Sequence, residues 1–256
     1  MKIKNRTNRK LFFLLLTASA LSIVAIMPYI ITLQGDLLRA TWIPLPLMIV
    51  ISVVQSIFLF AIFIFIGLKL SQNLGLQIPI LEKLVAKKKI GNIRPIIKTS
   101  VILWCVAGIV IILLDFLFTK SGINLISQTH VPLRQWFLAS FYGGISEEIV
   151  MRLFFMTFIL RIISKFYKGK IIENKMAVWL AIIIASVIFG LWHLPITWSL
   201  TTITPLVVIR AILLNGVGGV IFGWLYRKKW LESAIIAHFS ADIMIQIALP
   251  LVLMFL

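Results

Sequence analysis

The sequence predicts an all-α membrane protein, a polytopic bundle of about seven transmembrane helices with one amphipathic helix at the cytoplasmic face. The first observation is composition: of the 256 residues, 61% are hydrophobic and 13% are charged, whereas soluble domains are about half apolar and about a quarter charged. The second is that apolar stretches of membrane-spanning length recur along the chain. The third is that most basic residues lie between those stretches.

The apolar stretches predict seven membrane spans. The first follows a basic start, as in a signal peptide, but its apolar part is too long and has no small-residue cleavage site before Tyr29. We therefore expect a retained membrane helix. The predicted spans are Leu11–Leu33, Trp42–Leu68, Ser100–Phe118, Trp136–Ile163, Ala177–Leu200, Thr202–Tyr226 and Leu231–Leu256.

The positions of the basic residues predict the orientation of the bundle. With the N-terminus in the cytoplasm, most of the 25 Lys and Arg residues fall on the cytoplasmic side, as the positive-inside rule requires. We therefore expect a plasma-membrane protein whose C-terminus is extracytoplasmic. Topology and contact with anionic lipid headgroups then explain the net charge of +17, and nucleic acid is not expected as a partner.

The segment Ile78–Ile97 is the candidate for the amphipathic helix. It combines Glu82, Lys83 and the run Lys87–Lys89 with Ile, Leu and Val, which is typical of a helix lying on the membrane surface. The alternative is a solvated loop. We interpret residues 1–135 as an N-terminal region of three spans plus this helix and residues 136–256 as a C-terminal core of four spans, together forming one membrane domain.

Few titratable side chains lie inside the predicted spans. The protein has eight Asp and Glu residues and three His residues, and an ionisable residue at membrane depth marks a functional site by default. The single cysteine, Cys105, lies in an apolar stretch and forms no metal-binding pattern. Leaving aside residues at span ends, the deep titratable residues are Glu147, Glu148, Arg152, His193, Arg210, His238 and Asp242.

Glu147, Glu148 and Arg152 occupy one predicted helix. Residues four apart share a helix face, whereas adjacent residues do not. We therefore expect Glu148 to pair with Arg152, and Glu147 to remain a free carboxylate that could act as a general base. The alternative is that all three only pair across helices as packing contacts. Arg210 is expected to have an interior partner, Glu148 or Asp242, or to reach an interface.

Two later spans supply histidines. Pro195 is expected to end or kink its helix just after His193, which would open the backbone there. His238 and Asp242 are four apart and share a face, so the carboxylate could orient the imidazole or share a water or a metal with it. The predicted boundaries place His193 in the outer half of its span and His238 nearer the cytoplasm, a difference in depth that helix tilt would have to remove.

Together these side chains form a set that could activate water. His193, His238, Glu147 and Asp242 could ligate zinc with an open position. The same groups could act without a metal, with Glu147 as the base and the histidines holding the water and the oxyanion. The motifs His-Glu-x-x-His, Gly-x-Ser-x-Gly and Gly-x-Gly-Asp, which mark other protease classes, are absent from the sequence.

Three motifs, each in its own predicted span, resemble those of the CAAX protease and bacteriocin-processing family (CPBP, also called Abi). The resemblance covers about residues 136–246, and the first three spans show no matching motif. The motifs are Glu147-Glu148 followed by three residues and Arg152, Phe189 followed by three residues and His193, and His238 followed by three residues and Asp242.

The resemblance implies an intramembrane endopeptidase built from a helical bundle. It implies that Glu147 activates the hydrolytic water, that His193, His238 and Asp242 line the same cavity, and that Glu148 and Arg152 support it. Metal-assisted and metal-free mechanisms are both argued for the family, so zinc or another divalent metal is a possible cofactor. Asp242 stands where some members have Asn, and its added negative charge would favour a bound cation.

The substrates implied by the resemblance are membrane-associated peptides or proteins, from prenylated CAAX proteins to bacteriocins and signalling peptides. One alternative is a catalytically silent membrane scaffold or immunity protein of the same fold. Another is a transporter that uses the buried charges as an ion relay, although the sequence has no internal repeat or paired broken helices of the kind transporters use.

Overall fold

A computed structural model of the protein describes residues 2–123 and 131–248, with side chains from residue 7 onward. The described residues form helices and loops without a β-strand, which confirms the all-α fold class. In chain order the α-helices are α1 (Lys2–Arg39), α2 (Leu45–Leu74), α3 (Pro79–Val85), α4 (Arg94–Lys120), α5 (Leu133–Phe141), α6 (Thr157–Ser164), α7 (Lys175–Trp192), α8 (Leu194–Trp198), α9 (Pro205–Lys229) and α10 (Leu231–Ile243). Three π-helical segments, π1 (Tyr142–Glu147), π2 (Ile149–Met156) and π3 (Met244–Ala248), and a 3₁₀ turn, Ile171–Glu173, complete the described helices.

Six helical segments within the described chain are long and apolar enough to cross a membrane, and they correspond to six of the seven predicted spans. The end of the last predicted span, residues 249–256, lies outside the described residues. The six segments are Thr7–Arg39, Leu45–Leu74, Arg94–Lys120, Lys175–Trp198, Pro205–Lys229 and Leu231–Ala248.

The remaining predicted span, Trp136–Ile163, is present as a continuous helical segment from Leu133 to Ser164 in which α and π turns alternate. π-Turns are rare and occur frequently at functional sites. The segments π1 and π2 contain Glu147 and Arg152, and Glu148 lies between them. The π turns therefore coincide with the ionisable residues that mark this span as a candidate functional site.

The predicted amphipathic helix is much shorter than Ile78–Ile97. Within this segment Pro79–Val85 is helical, the chain from Ala86 to Ile93 is an exposed loop, and the last four residues already belong to α4. Lys87 has a positive φ of 54° and the Lys88 amide donates to the Lys83 carbonyl, which closes the helix end. The loop alternative was therefore right for the second part of this segment.

The N-terminal and C-terminal halves pack together around the π segments. Helix α1 packs on α5 and π1, while α10 packs on π1 from another side and also contacts α4. Helix α2 lies against π2, where a Cβ atom on Gly67 would be 2.7 Å from the Leu153 carbonyl oxygen. The division at residues 135 and 136 stays a prediction, as does the orientation in the membrane.

Candidate active site

Two glycines bring α10 next to the π1 segment. A Cβ atom on Gly143 would overlap Asp242 Oδ2 and stand 3.2 Å from His238 Nε2. A Cβ atom on Gly144 would lie 2.9 Å from Phe239 Cβ. The neighbours of Gly144 include the backbone of α10, so a larger residue there would displace that helix, whereas Gly143 leaves room for the side chains of Asp242 and His238. The Gly-Gly pair therefore permits the close approach of the helix that carries Glu147 and the helix that carries His238.

The predicted pair of Glu148 and Arg152 is present and fully buried. Arg152 Nε donates to Glu148 Oε2 at 3.2 Å, and both side chains are 0% exposed. The guanidinium carbon also lies 5.6 Å and 5.9 Å from the ring centroids of Phe189 and Phe222, within the range of cation–π attraction. Among the described residues, Arg152 Nη1 and Nη2 have no hydrogen-bond partner. The pair is thus enclosed by aromatic rings.

Glu148 also holds His238. His238 Nδ1 lies 2.9 Å from Glu148 Oε1, and because an ionised carboxylate can only accept, Nδ1 carries the hydrogen. The imidazole stacks on Phe222, with centroids 4.5 Å apart and ring planes at 17°, and meets the edge of Phe189 at 5.6 Å. Phe222 lies in a stretch that the motifs do not include. These contacts orient the ring and leave Nε2 pointing away from Glu148.

His238 Nε2 faces two further carboxylates. Glu147 Oε2 is 3.7 Å away and Asp242 Oδ1 is 3.9 Å away. These separations are too long for direct hydrogen bonds. Side-chain exposure rises from 0% at Glu148 and 7% at His238 to 15% at Glu147 and 28% at Asp242. The cluster therefore runs from a sealed interior to an accessible rim, with Glu147 on the accessible side.

His193 stands at the break between α7 and α8. The helix ends there as predicted, with Pro195 in the first turn of α8. Its Nδ1 donates to the Phe189 carbonyl at 2.8 Å, since that oxygen can only accept. The Phe189 ring contacts both imidazoles edge-on, His193 at 4.8 Å and His238 at 5.6 Å. The two histidines therefore flank one phenyl ring despite the predicted difference in depth, and no hydrogen bond or ion pair in the described chain joins His193 to the carboxylates.

The four possible metal ligands do not form a coordination sphere in the described chain. No group of three or more His, Cys, Asp or Glu side chains among the described residues is arranged to hold a metal ion. Both histidines donate Nδ1–H, His193 to the Phe189 carbonyl and His238 to Glu148, which leaves each Nε2 available to a water or a metal. The chemistry below is derived for water and the protein's own side chains.

Arg210 has an interior partner, but the expected partners were wrong. Its Nη2 and Nε atoms both donate to Asp115 Oδ1, at 2.6 Å and 2.9 Å, which ties α9 to α4. Asp115 lies near the end of a predicted span, and the sequence contains no signal that brings it beside Arg210. Glu148 and Asp242 are instead part of the cluster around His238.

The fold and the site together define a polytopic helical membrane protein with a buried cluster of carboxylates and histidine. A comparison with protein families matches residues 127–244 to the family described as Type II CAAX prenyl endopeptidase Rce1-like. The match supports the resemblance predicted from the three motifs: over this segment the protein is similar to the CAAX-type intramembrane proteases. Comparisons with curated proteins and with solved structures give no match.

Proposed function

We propose that the protein is an intramembrane endopeptidase in which Glu147 activates the hydrolytic water. The observation that carries the proposal is the position of Glu147, whose Oε2 stands 3.7 Å from His238 Nε2 on the accessible side of an otherwise buried cluster. A water lying to one side of these two atoms, within hydrogen-bonding distance of each, would be oriented by both and would lie beside a base.

The reaction begins when Glu147 takes a proton from this water and the oxygen attacks the carbonyl carbon of the peptide bond. The carbonyl oxygen becomes an oxyanion, which His238 stabilises by donating from Nε2 in its doubly protonated state. Glu147 then passes its proton to the amide nitrogen as the C–N bond breaks. The products are a new carboxyl end and a new amine, and Glu147 returns to its starting form.

Glu148 and Arg152 act behind the reacting atoms. Glu148 accepts from His238 Nδ1 and so fixes the imidazole with Nε2 directed at Glu147. Arg152 neutralises Glu148 in a site from which water is excluded, and an unpaired carboxylate there would be strongly unfavourable. Asp242, the most exposed of the three carboxylates around His238, is placed to orient the water or the incoming chain.

His193 has a different part in this proposal. Because its Nδ1–H is directed to the Phe189 carbonyl, its Nε2 is an acceptor when the ring is neutral. An acceptor can orient a water or a substrate N–H group, whereas an oxyanion requires a donor. We therefore assign His238 to the oxyanion and His193 to substrate or water positioning.

The test is peptide cleavage by the purified protein in liposomes. Glu147→Ala and His238→Ala should each reduce the rate by at least about 100-fold, the contribution typical of a general base or of an oxyanion donor. His193→Ala should give a smaller loss, and the exposed Glu173→Ala, the matched control, should cleave like the wild type. Wild-type rates for all three site variants would refute the proposal.

The substrate class needs matched peptides. One peptide ends in a CAAX sequence with a prenylated cysteine, a second has the same sequence without the prenyl group, and a third is a bacteriocin-type leader. Cleavage of one class identifies the substrate. A scaffold or immunity protein predicts instead that the wild type cleaves none of them and that Glu147→Ala retains full biological activity in cells.

A further inference from the structure

Helix α1 lies outside the family-matched residues and carries no motif, yet a polar contact ties it to the segment of Glu147. Ser22 Oγ donates to the Ser19 carbonyl at 2.9 Å and lies 2.7 Å from Ser146 Oγ. Since the Ser22 hydroxyl hydrogen is already directed to Ser19, Ser146 is the donor in the second bond. Ser22 is 2% exposed and Ser146 is 0% exposed.

The partner of Ser146 differs from that of other serines within the membrane helices. Ser140, Ser186 and Ser240 each donate to the carbonyl four residues earlier in their own helix, the common arrangement for serine in such helices. Ser146 instead bonds to a side chain on another helix. Its hydroxyl therefore fixes the position of π1 relative to α1, one residue before Glu147.

A second contact on the same face of α1 fixes the same two elements. Tyr29 follows Ser22 by two helical turns, and its ring packs on Trp136 of α5 with centroids 4.6 Å apart. Helix α1 thus contacts the segment Leu133–Glu147 at two levels.

We propose that Ser22 is a positioning residue, which holds Glu147 in its reactive place through Ser146. The π turns around Glu147 make its position sensitive to what packs on them, because such turns are less regular than an α-helix. The inference rests on the proposed function of Glu147, and it adds that the N-terminal region contributes directly to the geometry of the catalytic carboxylate.

The test compares Ser22→Ala with Ser19→Ala. Ser19 is the matched control because it lies on the same helix, is equally buried, and its hydroxyl has no partner among the described residues. Ser22→Ala should lower kcat about tenfold, the scale expected when a catalytic group shifts by a fraction of an ångström, while KM stays close to the wild-type value. Ser19→Ala should leave both constants unchanged.

A double mutant separates positioning from general loosening. If Ser22 acts through Ser146, then Ser146→Ala and the double variant should show the same kcat as Ser22→Ala, because all three lack one shared hydrogen bond. Ser146→Ala also serves if Ser22→Ala fails to fold, since it leaves α1 intact. If the two losses in kcat multiply in the double variant, the inference about Ser22 is wrong. It is also wrong if Ser22→Ala has the same kcat as Ser19→Ala. Either result leaves the proposed function standing. A wild type that cleaves no peptide would overturn the proposed function together with the inference.

Discussion

Arg152 and Arg210, two arginines deep within the predicted spans, each pair with a carboxylate, but the pairs differ in place and geometry. Arg152 and Glu148 lie on one helical segment, are both 0% exposed, and share one bond of 3.2 Å. Arg210 and Asp115 join two helices, are 15% and 19% exposed, and share two shorter bonds. The Arg210–Asp115 pair, which has the two shorter bonds, lies away from His238. The fully buried Arg152–Glu148 pair contacts His238 through Glu148.

This difference separates two uses of buried charge. Asp115 and Arg210 satisfy each other, so their pair is sufficient as a contact between α4 and α9. Glu148 divides its two oxygens between Arg152 and His238. A carboxylate shared in this way contributes less to pair stability and more to orientation of the imidazole. We expect substitutions in the two pairs to separate in the same way, into effects on activity and effects on stability.

Arg152→Ala should give the largest effect in this comparison. It removes the arginine partner of Glu148 Oε2 in a sealed site and leaves Glu148 only its bond with His238, which should lower the free energy of unfolding by about 3–5 kcal/mol and abolish cleavage. Denaturant unfolding of the detergent-solubilised protein and the cleavage assay measure the two effects. Arg152→Lys, which keeps the charge, is the control and should lose less stability. A stable Arg152→Ala protein with wild-type activity would contradict the role of the pair.

Asp115→Asn should give an intermediate effect on stability alone. It weakens two hydrogen bonds to a charged group, and the free energy of unfolding should fall by about 1–2 kcal/mol. The cleavage rate should stay close to that of the wild type because the pair touches no residue of the cluster. The double variant Asp115→Asn/Arg210→Gln is the control, and it should be no less stable than the single one. A loss of activity as large as that of Arg152→Ala would show that the two pairs are coupled.

Arg39→Ala should give the smallest effect. Arg39 pairs with Asp36 at 2.9 Å, but both side chains are in solvent, at 61% and 101% exposed. Such pairs contribute little, so neither unfolding nor cleavage should change measurably. A clear loss of stability would mean that exposed pairs matter in this fold as much as the pair of α4 and α9.

The sequence was informative where contacts are local. The pair of Glu148 and Arg152 followed from spacing along one helix, and the break after His193 followed from Pro195. The partner of Arg210 could not be predicted, because it depends on which helices become neighbours. The hydrogen bond of Ser22 with Ser146 has the same limit, since serine is common in membrane helices and its spacing identifies no partner on another helix.

The backbone of the central segment was a further limit. A regular helix with 3.6 residues per turn places Glu148 and Arg152 on one face and Glu147 on another. The chain there forms π turns instead. The pairing of residues four apart was nevertheless correct. The distances of Glu147 and Asp242 from His238 Nε2 depend on the close approach at Gly143, which no pattern in the sequence specifies.

The most direct measurement of the central claim is cleavage by Glu147→Gln. The amide keeps the shape of the side chain but cannot take a proton from water, so the account predicts no cleavage above background and unfolding like that of the wild type. Glu173→Gln, on an exposed side chain, is the matched control and should cleave normally. A folded Glu147→Gln protein that cleaves at the wild-type rate would contradict the assignment of Glu147 as the base.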